Sequence, residues 1–250
     1  MQRTLFVWGW YEPQCTKVVM EWLKEGMTVV DIGANVGYYA LLEAKIVGDK
    51  GMVYAIEPAP NNLEGLGKNV TINSLSNVEI YPLAVGDKSG KGELYLSVSS
   101  NLHNMLGTID KSGPRSSYTG VVEVETTTLD DFLKDKRQPD LVRMDVEGYE
   151  YFIIKGMQRT LNQNRNIRLY IEIHPSDMKT VGLEIETMLG TLFRAGFKPK
   201  YLVKRTKQYL WQNPNSDSIN IDSFRFEGSL EDLVRNIDNA DGLFMEKVTR

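Results

Sequence analysis

Short apolar runs alternate with amphipathic helical stretches along most of this chain. In residues 27–84 three apolar runs are separated by two helical patterns, and the second pattern begins at a proline, a residue favoured in the first turn of a helix. This alternation is typical of parallel strands joined by crossover helices, and it predicts a βαβαβ unit of the nucleotide-binding type. The predicted elements are strand Thr28–Asp31, helix Val36–Val47, strand Gly51–Glu57, helix Pro60–Asn73 and strand Val78–Ala84.

The pattern continues less regularly after this unit. Gly92–Val98 alternates like an edge strand, and Ser99–Thr119 is rich in serine, glycine and asparagine, which predicts a long loop. Thr128, with Asp131 three residues later, predicts the start of a short helix. The last two strands are expected to pair antiparallel. The remaining predicted elements are strand Val121–Thr126, strand Asp140–Val146, helix Gly148–Leu161, strand Ile167–Ile173, helix Gly182–Ala195, strand Phe197–Val203, helix Leu230–Ile237 and strand Gly242–Val248.

Length and composition indicate one large globular α/β domain with helices on both faces of a parallel sheet. The 250 residues are 42% hydrophobic, which is enough for a substantial core. Residues 27–250 are predicted to form this domain, and residues 1–26 form an N-terminal segment whose apolar run Leu5–Tyr11 packs on the protein. With 29 basic and 33 acidic residues the net charge is −4, which disfavours a nucleic-acid partner.

Cysteine content and hydropathy indicate the compartment. Cys15 is the one cysteine of the sequence, which excludes an internal disulfide and a thiolate metal cluster and points to a reducing compartment. No apolar run reaches the roughly 18 residues that a membrane helix needs. We therefore expect a cytoplasmic protein without a transmembrane segment.

A glycine-rich turn follows the first predicted strand. Asp31, Gly33, Asn35 and Gly37 stand where that strand gives way to a helix, and glycines there let the backbone approach a ligand closely. The spacing G-x-x-x-G differs from the dinucleotide pattern G-x-G-x-x-G, and a carboxylate two residues before the first glycine disfavours a pyrophosphate. Amide donors beside an anion suit a ligand that carries both a carboxylate and an ammonium group, as methionine does.

Glu57 ends the second predicted strand, twenty residues after Gly37. An acidic residue at that position is placed to accept hydrogen bonds from the hydroxyls of a ribose. Together with the glycine turn, it predicts a site for an adenosyl amino acid.

Four segments resemble the FkbM family of S-adenosylmethionine-dependent methyltransferases, and the resemblance runs from about Gly26 to Gly196. They are VVDIGANVGYYAL at 29–41, AIEPAPNN at 55–62, TTLDDFL at 127–133 and VRMDVEGYEYFIIKGM at 142–157. The resemblance implies a Rossmann-like, mostly parallel seven-stranded sheet with one antiparallel strand. It also implies S-adenosyl-L-methionine as cofactor and methyl transfer to an oxygen of a sugar, a lipid or a polyketide-like metabolite.

The resemblance also implies roles for single residues. Asp31, Gly33, Asn35 and Gly37 would hold the methionine part, Glu57 would hold the ribose, and the turn that begins at Ala84 would lie by the adenine.

Four polar residues stand at the ends of two later strands. Asp145 and Glu147 surround the end of one, and Glu172 and His174 stand in the same relation at the next. Because open α/β sheets bind ligands at the carboxyl ends of their strands, these groups are expected to converge on one pocket as catalytic residues. His174, or a carboxylate whose pKa burial raises, would serve as general base. Asp145 or Glu147 would otherwise bind the methionine ammonium, or Glu147 would cap the next helix. Their donor types suit a metal, but no tight metal motif is present, so none is predicted.

The sequence thus predicts an O-methyltransferase with a small-molecule, glycan or lipid acceptor. Alternatives are an RNA or protein methyltransferase on the same fold and, outside methyl transfer, a nicotinamide-dependent oxidoreductase or a nucleotide-binding module. Acceptor specificity is assigned to Ser99–Thr119, which contains His103, and to Thr206–Gly228. Tyr209, Trp211 and Phe224 in the second segment are candidates for stacking on a sugar ring.

Overall fold

The computed structural model describes residues 9–97, 105–106, 118–180, 182–204, 213–215 and 219–248. Its strands are β1 Thr28–Ile32, β2 Met52–Ile56, β3 Val78–Tyr81, β4 Ala84–Gly86, β5 Gly90–Ser97, β6 Met105–Leu106, β7 Tyr118–Thr128, β8 Leu141–Met144, β9 Arg168–Glu172, β10 Phe197–Lys204 and β11 Ala240–Lys247. Its α-helices are α1 Pro13–Trp22, α2 Tyr38–Val47, α3 Pro60–Ile72, α4 Leu129–Phe132, α5 Glu150–Lys155, α6 Gln158–Gln163, α7 Pro175–Thr180, α8 Ile185–Arg194 and α9 Leu230–Asn236.

Within the described residues, seven strands form the main sheet in the order β10-β11-β9-β8-β1-β2-β3. Strand β11 runs antiparallel to both of its neighbours, and the other six strands are parallel to one another. Every residue of β1 and β8 is buried, as expected for central strands covered by helices on both faces. The predicted sheet, including its closing antiparallel pair, is confirmed.

Helix α1 was not predicted from the sequence pattern. It begins at Pro13, and it buries Cys15, Val18 and Val19 in the core on one face of the sheet. The ring of Trp22 lies 5.2 Å from that of Phe244 on β11 in an edge-to-face contact. The N-terminal region from Pro13 onward is therefore packed into the same core as the strands.

The third predicted strand, Val78–Ala84, is wrong in its extent. Strand β3 ends at Tyr81, because Pro82 has no backbone N–H to continue the ladder, and Ala84–Gly86 turns away to pair with β7. Among the described residues β4, β7, β5 and β6 form a second sheet of four strands in that order. The predicted strand at Gly92–Val98 is confirmed, but it belongs to this smaller sheet.

The predicted helix Gly148–Leu161 is divided into α5 and α6. A side chain at Gly156, between them, would overlap the carbonyl oxygen of Gly86, so the chain approaches the smaller sheet closely at this position. The predicted start of α4 is confirmed, because Thr128 Oγ1 accepts a hydrogen bond from the backbone N–H of Asp131 at 3.0 Å.

Some sequence predictions fall outside the described residues. Most of the loop Ser99–Thr119, including His103, lies there, as do Tyr209, Trp211 and most of the run Leu5–Tyr11. Phe224 is described, and it packs partly buried against the core. No helix in the described ranges combines the length and the apolar character needed to cross a bilayer.

Candidate active site

A cavity lies beyond the carboxyl ends of β1, β2 and β8, with about 580 Å³ of free space when the open solvent at its mouth is included. Of the ten candidate cofactor-binding and catalytic residues, all of which are described, six line it: Gly33, Asn35, Glu57, Ala84, Asp145 and Glu147. Its other lining residues are Ile32, Ile56, Pro58, Asn62, Leu83, Val85, Leu94, Val146 and Tyr149. The predicted crevice at the strand ends is therefore present, with apolar walls supplied largely by the region around β4 and β5.

The glycine turn brings the ends of β1 and β8 into close contact. Gly33 has a φ of 81°, and a side chain there would overlap the carbonyl oxygen of Asp145. Gly37 has a φ of 94°, and a Cβ there would lie 2.6 Å from Leu66 Cδ1. Asn35 between them has a φ of 53°, a left-handed conformation that asparagine tolerates better than most residues. The turn thus requires these residue types for steric reasons alone.

Glu57 is held by main-chain donors at the end of β2. Its Oε2 accepts the backbone N–H of Asn35 at 2.8 Å, and its Oε1 accepts the N–H of Ala59 at 2.8 Å and the side-chain amide of Asn62 at 3.2 Å. A carboxylate offers about four lone-pair sites, so Oε2 retains capacity for a further donor. Burial raises the pKa of Glu57 to about 7, although the N–H groups of Ala59 and Asn35 oppose that increase.

Asp31 lies below the cavity rather than among the residues that line it. It is fully buried, and its Oδ1 pairs with Arg143 Nη1 at 2.9 Å. The two residues occupy opposite positions in the register of β1 and β8. The structure therefore gives Asp31 a protein partner, and its predicted contact with the methionine part remains a prediction.

Arg143 is the central charge of the site, and it was not among the residues predicted from the sequence. Besides Asp31, its guanidinium contacts Asp145 Oδ2 at 3.1 Å and Glu172 Oε2 at 3.6 Å, and it lies 4.0 Å from the centre of the Tyr39 ring. A charged residue inside the apolar run LVRM was the signal that could have found it, because a buried guanidinium needs carboxylate partners.

The four predicted strand-end residues lie close together, but Glu172 and His174 are not among the residues that line the cavity. His174 Nε2 lies 4.0 Å from Asp145 Oδ1, 3.6 Å from Glu147 Oε2 and 3.7 Å from Glu172 Oε1. Glu147 reaches this position with a φ of 53°, a strained conformation for a residue of its size. Strand β8 ends at Met144, so this backbone conformation, rather than simple strand alternation, places Glu147 beside the imidazole.

The imidazole is fixed from its other side by a residue that the sequence analysis did not consider. Glu150 Oε1, on the buried face of α5, lies 3.0 Å from His174 Nδ1. Burial acts to lower the pKa of His174, but the nearby carboxylates of Glu150, Glu172 and Asp145 outweigh it and raise the pKa to about 12. The pKa of Asp145 is lowered, because Arg143 and His174 outweigh its burial. A protonated imidazole at neutral pH disfavours His174 as the general base, and that role stays a prediction.

The N-terminal region also reaches this network. Glu12 adopts a left-handed φ of 44°, and its Oε2 accepts a hydrogen bond from the Tyr39 hydroxyl at 3.0 Å. Burial and the negative charge of Asp145 raise the pKa of Glu12. No periodicity or motif around Glu12 signals this contact, which depends on the packing of α1 against α2.

Comparisons with known proteins agree with this arrangement. The family model described as "Methyltransferase FkbM domain" matches residues 31–199. Hexuronic acid methyltransferase AglP of Haloferax volcanii is 28% identical over 165 residues, which cover 65% of this chain but only 62% of that protein's length. The 2-O-methyltransferase NoeI of Sinorhizobium fredii is 25% identical, over 74% of this chain and 82% of that protein.

Solved structures show the same fold. The ribosomal protein L11 methylase of Lactobacillus delbrueckii subsp. bulgaricus superimposes with a TM-score of 0.50 at 12% identity, covering 96% of this chain and 78% of that one. The main sheet, with β11 antiparallel between β10 and β9, is therefore that of the Rossmann-like methyltransferases.

Proposed function

The chain belongs to the FkbM methyltransferase family, and from that premise we propose that it transfers a methyl group from S-adenosylmethionine to a hydroxyl of a sugar-containing acceptor. The observation that carries the proposal is one cavity lined both by the glycine turn with Glu57 and by Asp145 with Glu147. A cofactor and the hydroxyl that it methylates have to meet in such a shared space.

The residues present fit an adenosyl amino acid. Gly33 lets the backbone approach a ligand, and Glu57 offers a buried carboxylate oxygen with capacity for a ribose hydroxyl. Leu83, Ala84 and Tyr149 supply an apolar wall of the kind that an adenine ring needs. These residues account for the polar and the apolar parts of such a molecule.

S-adenosylmethionine supplies a methyl group on a positively charged sulfonium. Asp145 and Glu147 both line the cavity, and their negative charges favour cationic groups nearby. Walls that exclude water and hold the hydroxyl in line with the methyl group account for much of the rate in such a reaction. Glu147 takes the hydroxyl proton in our proposal, because it lines the cavity, whereas His174 is already protonated and Asp145 is paired with the buried Arg143.

The acceptor class rests on the relatives. AglP is named for a hexuronic acid and NoeI for 2-O-methylation, so a sugar hydroxyl is the acceptor that best agrees with these two relatives. The net charge of −4 supports an acceptor other than nucleic acid. Residues 27–250 act as the catalytic domain in this proposal, with α1 packed on it.

Calorimetry with S-adenosylhomocysteine, followed by transfer of a labelled methyl group to hexose and hexuronic acid glycosides, tests the proposal. Replacing Glu147 with Gln should reduce kcat by about 10²- to 10⁴-fold, the usual range for a lost general base, while leaving the affinity for S-adenosylhomocysteine unchanged. Mass spectrometry of the product should show an added methyl on oxygen.

Glu186 offers a matched control, because it is an exposed glutamate on α8. Its replacement by Gln should change neither binding nor turnover. Absence of binding of S-adenosylhomocysteine at millimolar concentration would falsify methyl transfer altogether. Binding without sugar methylation, together with methylation of bulk RNA, would instead favour the nucleic-acid alternative.

A further inference from the structure

The side chains around His174 are arranged in a way that acid–base catalysis alone does not require. Three carboxylate oxygens, from Asp145, Glu147 and Glu172, lie between 3.6 and 4.0 Å from one imidazole nitrogen, Nε2. These distances are longer than a hydrogen bond. One ligand atom each from Asp145, Glu147 and His174 lies within 4.8 Å of the others.

Such spacing matches ligands that share one ion. With metal–ligand bonds of about 2.1 Å, two atoms bound to the same cation lie about 3.0 to 4.2 Å apart, depending on the angle between them. All three separations from Nε2 fall in that interval. The distances from Nε2 to Asp145 and to Glu147 are therefore compatible with a small divalent cation held by these three side chains.

Two of these side chains are held from behind by buried partners. His174 Nδ1 faces Glu150 Oε1 at 3.0 Å, which leaves Nε2 directed at the carboxylates. Asp145 Oδ2 accepts a hydrogen bond from Arg143 at 3.1 Å, which leaves Oδ1 on the His174 side. A carboxylate behind a ligating histidine is the arrangement that orients imidazole in metal sites.

Glu172 adds a third carboxyl group beside this point. It is only 9% exposed, and its Oε2 faces Arg143 Nη2 at 3.6 Å. Its Oε1 lies 3.7 Å from the same imidazole nitrogen. Carboxylates gathered around Nε2 favour a positive charge there, which is either the proton of the imidazolium or a metal ion in its place.

We propose that Nε2 of His174, Oδ1 of Asp145 and Oε2 of Glu147 bind a first-row divalent cation. One nitrogen and two carboxylate oxygens suit Mn²⁺ or a similar ion better than Ca²⁺, which prefers oxygen ligands alone. The cation takes the place of the proton on Nε2. The side chains of Asp145, Glu147 and His174 are 19%, 14% and 11% exposed, so an ion can reach them from solvent.

A consequence for catalysis rests on the proposed function. Asp145 and Glu147 line the cavity, so a cation between them would have coordination positions directed at the acceptor. An acceptor hydroxyl bound there would have a lower pKa and would lose its proton more readily to the surrounding carboxylates. The same contact would orient a sugar that presents two neighbouring oxygens.

Binding of Mn²⁺ itself, measured by the loss of the free-ion signal in electron paramagnetic resonance, tests the site without reference to activity. Protein treated with EDTA and dialysed should bind one Mn²⁺ per chain. His174→Ala and Glu147→Gln should each weaken this binding by more than about 100-fold, and Glu150→Gln by roughly 10- to 100-fold. Glu186→Gln on the exposed face of α8 should bind Mn²⁺ as the unaltered chain does.

Circular dichroism establishes that each variant is folded, and Glu147→Gln, which keeps the side-chain shape, serves if His174→Ala does not fold. No stoichiometric binding of Mn²⁺, or binding unchanged in Glu147→Gln, overturns the site. Calorimetry with S-adenosylhomocysteine separates the two proposals: binding of Mn²⁺ without binding of the nucleoside supports the site and contradicts the methyltransferase function. Sugar methylation that persists in EDTA contradicts the assignment of the cation to the acceptor hydroxyl.

Discussion

The two halves of the cavity are held together by different kinds of interaction. At the ends of β1 and β2, Gly33 makes room for the backbone and Glu57 accepts main-chain N–H groups. At the ends of β8 and β9, charged side chains hold one another, with Arg143 and His174 among the surrounding carboxylates. The structure of the first half depends on the backbone conformation. The structure of the second half depends on each buried charge having an oppositely charged partner.

This difference bears on which substitutions the protein tolerates. Removing the partner of a buried ion lowers the free energy of unfolding far more than removing one main-chain hydrogen bond does. The reason is that the remaining charge stays in a medium of low polarity. A single substitution in the charged half should therefore destabilise the whole group of ion pairs. A substitution in the main-chain half should affect stability only through the position that is changed.

The largest effect is expected from Arg143→Met. Removing this guanidinium leaves the Asp31 carboxylate buried without its partner, which should lower the free energy of unfolding by about 3 to 5 kcal/mol in urea titrations. Arg235→Met is the matched control, because the ion pair of Arg235 with Glu231 is 3.9 Å long and exposed, and it should change stability little. The double variant Arg143→Met with Asp31→Asn should recover part of the loss. A loss below about 1 kcal/mol for Arg143→Met would show that the charges are not interdependent.

Gly33→Ala should have the next largest effect. An alanine there is strained by its φ of 81° and also overlaps the carbonyl oxygen of Asp145, so we expect a loss of about 2 to 4 kcal/mol in unfolding free energy. Gly26 has a similar φ of 86°, but a Cβ at that position would have no atom within 4 Å, and Gly26→Ala should cost about 1 to 2 kcal/mol. Equal losses of unfolding free energy in the two variants would contradict a steric contact between position 33 and the carbonyl oxygen of Asp145.

The smallest effect concerns the pH dependence of ligand binding. With its pKa raised to about 7, Glu57 is mostly protonated at pH 6 and ionised at pH 8, and the ionised form is the better acceptor for a ribose hydroxyl. The affinity for S-adenosylhomocysteine should therefore rise about 10-fold between pH 6 and pH 8 in calorimetric titrations. In Glu57→Gln this increase should vanish. A rise of the same size in the variant would assign the titration to another group.

Much of the fold and part of the site follow from local patterns. The parallel strands, the antiparallel closing pair and the convergence of Asp145, Glu147, Glu172 and His174 were predicted, because periodicity and strand-end position are local properties. Helix α1 was missed, although Cys15, Val18, Val19 and Trp22 follow the i, i+3, i+4, i+7 spacing of an amphipathic helix and Pro13 stands at its start. The separate four-stranded sheet was missed because the residues around Pro82, where β3 ends, continue the apolar run of that strand.

The sequence by itself determined which residues stand at strand ends and where glycine is needed, because those properties depend on a few neighbouring positions. Only the tertiary structure decided that β8 lies between β1 and β9, which sets Arg143 opposite both Asp31 and Tyr170. It also decided that Glu150 on α5 meets His174 and that Glu12 meets Tyr39. These contacts join residues from separate elements, and a buried charge finds its partners through the packing of strands and helices rather than through spacing along the chain.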